Sequence, residues 1–538
     1  MMGNSMKNQI LLIAQVVVFV SMTRFVLSGE YSGGHGSPDD PYKISSVEDL
    51  MELRETPSDY GMCFQLRSNI NLDGSNFMDA VIAPDTNPDY HFAGTAFSGT
   101  FDGHEFIISN VHVTAANFAG FFGCIDSNAV IKNLGLEQVD ITLTNVSYAG
   151  GLAGYVRGFS MISNCYVKGG EVRMTDSEVA DGLLGGLVGM SEEWTVIADS
   201  YVSSLCVSST VEKTQYVGGL VGYAHLNTIT DCHTDGSVYG YWYCGGIAGC
   251  TRGGLIEKCY SKADVTSVAP FNDSFYAYAA GLVGVTDDTR INECYAQGRT
   301  ESALCAAGLV GDFNLGTVYN SYAVGAVEDG IYAGGFCAVC RTNTSIYESN
   351  FWDEETAGVT RSGGTPVAAS TKQMLSSSYY EEQANWDFTN TWYMDGYPAL
   401  LDNYRAYDID FDEWAETYSL SGENANPLAD PANDGIPNMV KYAMGLNPTC
   451  DYENTILVEQ MVNYTDQPPT LSITYNKAKN TEAQIIPERV DSLIGSEWTA
   501  SGVVMQQVAD QPTYETWMAT LPMTNKVGYL NLEIRVER

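Results

Sequence analysis

Acidic side chains are the most abundant reactive groups in this chain, with 66 Asp and Glu against 26 Lys and Arg in 538 residues. The first chemistry to weigh is therefore carboxylate chemistry: two acids flanking a glycosidic bond, or acids holding calcium beside a base. Asp176, Glu178 and Asp181 lie within residues 171–182, and Asp264 and Asp273 within 263–278. Only Arg173, at the edge of the first stretch, supplies a basic partner, so both groups read as solvated loop acids. His104-Glu105 is followed by Ile108 where a zinc-protease helix needs its second His. No Gly-x-Ser-x-Gly elbow and no phosphate-cradling glycine loop occurs. The expectation is that the chain has no catalytic residues.

Sulfur and aromatic groups are placed more regularly. Of 13 cysteines, Cys165, Cys232, Cys259 and Cys294 recur at one position of a repeated phrase, and Ser fills that position at 200, 321 and 349. A site that accepts either residue wants a small buried side chain, and a free thiol behaves as a small hydrophobe. Cys337 and Cys340 form a C-x-x-C with no second pair at zinc spacing. Cys244 and Cys250 flank one glycine phrase and leave a local disulfide open. Next to the Cys or Ser position stand Tyr166, Tyr201, Tyr260, Tyr295 and Tyr322, interrupted by His233. On an outward face these make an aromatic row on which sugar rings or apolar surfaces could stack. Alternatively, neighbouring rings stack on one another and shield the sheet beneath.

The elements that position these residues come from a repeat. Eight times the chain returns to a glycine phrase: GFFG at Gly120, GGLAG at Gly150, GGLVG at Gly185 and Gly218, GGIAG at Gly245, AGLVG at Ala280 and Ala307, and GGFCA at Gly334. The interval, roughly 27 to 35 residues, is that of solenoids and arrays. After each phrase comes a second one, such as ISNCYV from Ile162, IEKCYS from Ile256 or IYESNF from Ile346. Side chains alternate along an extended chain, so the Cys or Ser shares an inward face with the residue two positions on. The polar residue before it and the Tyr after it then face water. The branched apolar residue stands three positions before the Cys or Ser, which calls for a bulge or corner if both are buried. The glycines suit a second corner, through positive φ or close approach between coils. One repeat makes one coil of about three short strands, and stacked coils satisfy each other's backbone groups. The fold expected is a parallel β-helix.

These phrases resemble the GLUG repeat of large bacterial surface proteins. The flanks agree: DDPYKISSVEDLMELRE, FQLRSNINLDG and FSGTFDGHEFIISNVHV resemble the opening segment of such proteins, and NFWDEETAGVTRSGGT with NWDFTNTWYMDGYPALLD resembles their closing segment, so the likeness spans residues 39–402. The resemblance implies a right-handed parallel β-helix related to haemagglutinin-type adhesins, an extracellular location and adhesion, and brings no shared catalytic residues. Parallel β-helices also carry polysaccharide lyases and glycoside hydrolases, and such an enzyme is the alternative reading.

The expected domains are a signal peptide at 1–29, a cap with the first coils at 30–118, repeats with their closing segment at 119–402, an acidic linker at 403–449, and a C-terminal β domain at 450–538. The signal reading rests on Lys7, the apolar stretch Ile10 to Val20 and the small-residue site Val26-Leu27-Ser28. Ser46, with Asp49 three residues later and Val47, Leu50 and Met51 at helical spacing, reads as a capped helix closing the N-terminal end. The linker resembles a module near the C-termini of secreted Gram-negative proteins whose Asp-rich loop looks like half an EF-hand. On that likeness Asp430, Asp434 and Asn438 fall at ligand positions, but Ala432 and Lys441 stand where two further oxygen ligands belong. Calcium binding is accordingly expected to be weak or lost, and no other cofactor is indicated. Beyond Tyr452 the alternation of stretches such as PTLSITYN and AQIIPERV reads as an antiparallel domain, a sandwich in form. A net charge of −40 repels nucleic acid and other polyanions. The expected partner is a cell-surface glycan or protein, the chain being secreted or held at the cell surface with no transmembrane helix in its mature form.

Overall fold

The computed structural model describes residues 29–401, apart from breaks at 88–90, 145–147, 176–181, 210, 213–214, 271–276, 329, 342–345 and 390, together with Leu420 and six strands between 458 and 536. Most of the signal segment, and Asp430, Asp434 and Asn438 with nearly all of the linker, lie outside the described residues.

Each repeat closes one coil. A representative coil runs through Tyr148–Gly150, Ala153–Val156, Met161–Ser163 and Tyr166–Met174. These strands pair in parallel and in register with Leu183–Gly185, Val188–Ser191, Val196–Ala198 and Tyr201–Ser209 of the next coil. Repetition builds sheets of seven, fifteen and seventeen strands along the stack, which is a parallel β-helix. Homologous side chains therefore lie one above another. Ile131, Ile162, Ile197, Ile229, Ile256, Ile291 and Val318 form one such column inside, every member buried.

The glycine phrases mark the corner leading out of the seven-stranded sheet, and of the two roles open to them the structure selects close approach. A Cβ at Gly219 would lie 2.0 Å from the Gly246 carbonyl oxygen, and one at Gly246 would lie 2.1 Å from that of Gly281. Neither glycine has positive φ. Left-handed backbone appears instead at the opposite corner, on the residue just before the Cys or Ser position. Asn164, Asp199, Asp231, Lys258, Glu293 and Asn320 all have φ between 46° and 53° there.

That corner explains why Cys and Ser interchange. The Cys165 amide donates to Ser200 Oγ at 3.1 Å, and Ser200 Oγ donates to the Ala198 carbonyl at 2.7 Å. The Cys259 amide reaches Cys294 Sγ at 3.5 Å, and Cys294 Sγ points at the Asn292 carbonyl at 3.1 Å. The Cys294 amide donates in turn to Ser321 Oγ at 3.1 Å. Each side chain thus accepts from the coil below and donates within its own. The requirement is for a small group that both donates and accepts, which is narrower than smallness alone.

One expectation is corrected here. Tyr322 pairs with Phe351 and Ala323 with Trp352, so Asn350, not Ser349, follows Ser321 in the ladder. Asn350 Oδ1 accepts from the Ser321 amide at 3.0 Å, and Nδ2 donates to the Val318 carbonyl at 2.8 Å. Ser349 takes the left-handed corner, with φ of 59°. The repeat pattern admitted only Cys or Ser, and a larger amide that accepts in the same place but donates to the preceding coil escaped it.

Both ends of the stack are covered. The helix Val47–Glu55 carries the expected capping box between Ser46 and Asp49 and buries Leu50 and Leu53 over the first coil. At the far end, short helices Thr371–Met374 and Ser377–Ala384 and an antiparallel pair, Trp392–Asp395 with Tyr397–Leu400, fold back against the last coils. In the C-terminal region Val458–Asn463, Thr470–Ala478, Tyr514–Pro522 and Val504–Asp510 form an antiparallel sheet, and Ala483–Val490 pairs with Tyr529–Val536.

Two substitutions test the stacking. Gly219→Ala should destabilise the chain by about 2 kcal/mol through overpacking, whereas Cys259→Ser should stay within about 1 kcal/mol because the hydroxyl keeps both bonds. Urea unfolding followed by far-UV circular dichroism reads both. Equal midpoints for Gly219→Ala and the parent chain would contradict the interlocked glycine corner.

Candidate binding surface

The aromatic row exists, in the order the repeat dictates. Consecutive rings of Tyr166, Tyr201, His233, Tyr260, Tyr295 and Tyr322 have centroids 4.7 to 5.0 Å apart and planes within 9° of parallel. The spacing is that of neighbouring strands, so the sheet itself sets the stack. Every ring face is consequently taken by the next ring. Below Tyr166 the place is held by Gly135, where a Cβ would come within 2.4 Å of the tyrosine ring. Only ring edges and hydroxyls point away from the rod.

The outward placement expected for the whole row does not hold at its C-terminal end. Tyr295 is 3% and Tyr322 0% exposed, because the closing segment lays Trp386, Trp392 and Tyr397 over them. The Tyr322 hydroxyl donates to the Pro398 carbonyl and accepts from Gln297 Nε2 at 3.2 Å. Burial pushes both phenols well above their ordinary pKa. Tyr201 is also largely covered, while Tyr166, His233 and Tyr260 are half-buried, and Lys262 Nζ sits 5.5 Å over the Tyr260 ring.

A second aromatic column went unread in the sequence. Tyr148, Tyr216, Tyr243, Tyr278 and Tyr332 occupy one register on the seven-stranded sheet, with Leu183 and Cys305 at the remaining rungs. Tyr216, Tyr243 and Tyr278 are stacked 5.3 Å apart. Its signal was present: a Tyr two residues ahead of the glycine pair in SYAGG, QYVGG, WYCGG, AYAAG and IYAGG.

The other candidates do not converge. Asp264 starts the strand Asp264–Ser267 and accepts from the Arg299 amide at 3.0 Å. Asp176, Glu178, Asp181 and Asp273 lie outside the described residues. Glu105 accepts from Asn164 Nδ2 at 3.0 Å, on a left-handed turn with His104. Among the described residues no three His, Cys, Asp or Glu side chains gather as a metal ion would need. The described cysteines are free thiols, Cys244, Cys250 and Cys337 included. Burial raises the thiols of Cys124, Cys250 and Cys305 to about 12.

The match to a family model agrees with this geometry. Residues 145–173 and 214–239 match the GLUG motif. Over 184 residues, 32% of this chain, the sequence is 30% identical to halomucin of Haloquadratum walsbyi, and the match spans 2% of halomucin's length. Among solved structures, a Bacteroides ovatus protein provisionally described as an immunoglobulin A1 protease aligns with 69% of this chain and 95% of its own, at 18% identity and a TM-score of 0.37. An IgA1 protease aligns with 57% of this chain and 21% of its own, at 16% identity and a TM-score of 0.34.

Two measurements follow from the burial pattern. Tyr322→Ala should cost about 3 to 4 kcal/mol, and Tyr166→Ala at the open end roughly 1; equal losses in thermal unfolding would show that the closing segment does not seal the row. A thiol reagent at pH 8 should label the half-buried Cys63, Cys206 and Cys340 and spare Cys124, Cys250 and Cys305. The folded pKa of those three lies above the ordinary 9.0. Their contribution to stability is thus fully present below that value and lost as the pH rises towards 12, which a series of unfolding curves at alkaline pH would register as falling midpoints.

Proposed function

We propose that this GLUG-repeat β-helix is a secreted or cell-surface protein that uses its lateral surface for adhesion, binding a cell-surface glycan or protein without catalysing a reaction. The observation that carries the reading is the in-register repetition of outward positions along the stack. A surface that repeats at every rung suits a partner that is itself a repeating polymer or an extended layer. The net charge of −40 favours non-anionic partners and disfavours nucleic acid. The apolar stretch from Ile10 to Val20 supports export, and no helix among the described residues is long and apolar enough to cross a membrane. The reading requires no cofactor, and calcium at Asp430, Asp434 and Asn438 has no part in it, since Lys441 stands where the bidentate acid would be.

The full chain should be retained by at least one member of a panel of polysaccharides and cell surfaces. It should release neither reducing ends nor unsaturated products from any polysaccharide, with or without calcium. Products accumulating in proportion to added protein would replace this reading with that of a β-helical lyase or glycoside hydrolase.

A further inference from the structure

Phe159 and Trp194 break the pattern of the rod. They sit at the turn between the two strands of the seventeen-stranded sheet, on successive coils, and the Phe159 amide donates to the Glu193 carbonyl at 3.0 Å. Both are exposed, at 65% and 57%. Both are also in left-handed backbone, with φ of 60° and 63°, a conformation that bulky side chains adopt only at a cost. Continuing the register along the stack, the same place is held by Asn128 before them and by Leu226, Gly253 and Asp288 after them. Asn, Gly and Asp tolerate that backbone with little strain. Two large rings are therefore kept where a small residue would fold more easily, and burial does not repay the strain.

We infer that the Phe159–Trp194 corner is a subsite for a non-anionic polysaccharide chain, an inference that rests on the glycan-binding reading above and gives it a location. The rings lie one rung apart, and neither enters the stacked tyrosine row, whose faces are already occupied. Sugar rings present C–H faces that pack on aromatic surfaces, while their hydroxyls seek charged acceptors and donors. The rim supplies both: Glu193 is exposed beside Trp194, and Arg157 lies next to Gly158 with Nε 2.9 Å from Asp126 Oδ2. Met161, 41% exposed, widens the apolar strip. Acidic rim residues on a chain of this charge turn away uronate or sulfated polymers. A protein partner is disfavoured because the apolar run stops at Gly253 and Asp288, whereas a stable interface buries roughly 800 Å² per side.

Affinity electrophoresis of the full chain in gels containing soluble β-glucan, xylan, mannan or dextran tests this directly. Phe159→Gly and Trp194→Asn relieve the strained backbone, so each should unfold at a temperature no lower than the parent. Together they should weaken retardation in the responsive gel by about tenfold. Undiminished retardation of the double variant would overturn this site while leaving glycan binding standing. A parent chain retarded by none of the four polymers would remove the glycan reading itself, and with it this site. A lower unfolding temperature in either variant would mark the rings as structural and overturn the assignment, as would their being required for self-association in sedimentation velocity rather than for retardation.

Discussion

The rod depends on one constraint: the backbone hydrogen bonds of each coil are completed only by the coils above and below it, in register and about 4.8 Å apart. Such a stack leaves no freedom to choose neighbours. A residue type that works at one rung is set against its counterpart on the next, so columns of isoleucine, thiol, glycine and tyrosine arise from sequence repetition alone. The constraint also forbids a side chain wherever coil backbones close on one another, which is why a Cβ at Gly219, Gly246 or Gly281 would sit almost on top of the next carbonyl.

Where two strands meet at a corner, the ladder cannot be completed by backbone alone, and side chains finish it. Ser200, Cys294 and Ser321 each accept from the neighbouring coil and donate to the carbonyl two residues back in their own, while Asn350 accepts in the same way and donates to the Val318 carbonyl of the preceding coil. Leu134, at the equivalent place one coil before Cys165, makes neither and simply fills the interior. The ladder therefore begins with the repeat proper and closes with an amide that satisfies both partners at once. The thiols are components of a hydrogen-bonded spine, and burial pushes the Cys232 and Cys259 thiols well above their ordinary pKa.

Much of this was legible in the residues. The periodic glycines, the alternation around Cys232, Cys259 and Cys294, and the capping box at Ser46 and Asp49 each carry a local physical signature, and each led to the right element. What escaped depended on long-range packing. Nothing in the spacing of Tyr295 and Tyr322 shows that Trp386 and Trp392, many residues later, would fold back onto them. Ser349 matches the repeat by residue type and not by register, and Phe351 in the tyrosine place marks the difference. The second tyrosine column has a periodic signature of its own, the Tyr two residues ahead of the glycine pair. Phe159 and Trp194 stood out only once their backbone angles and exposure were known, because a lone aromatic in a turn has no periodic signature.

The aromatic seal at the far end has a consequence for the length of the rod. An open terminal rung is a template: its unpaired strands and the free face of its last ring would accept another coil from any molecule that could supply one, and growth of that kind leads to fibres. Here Phe351 and then Val367 follow Tyr322 in the ladder, so the row of tyrosines stops before the stack does, and Trp386, Trp392 and Tyr397 lie across Tyr322 with rings from the same chain. The tyrosine stack, left to itself an indefinitely extendable lattice, is thereby made finite within the chain.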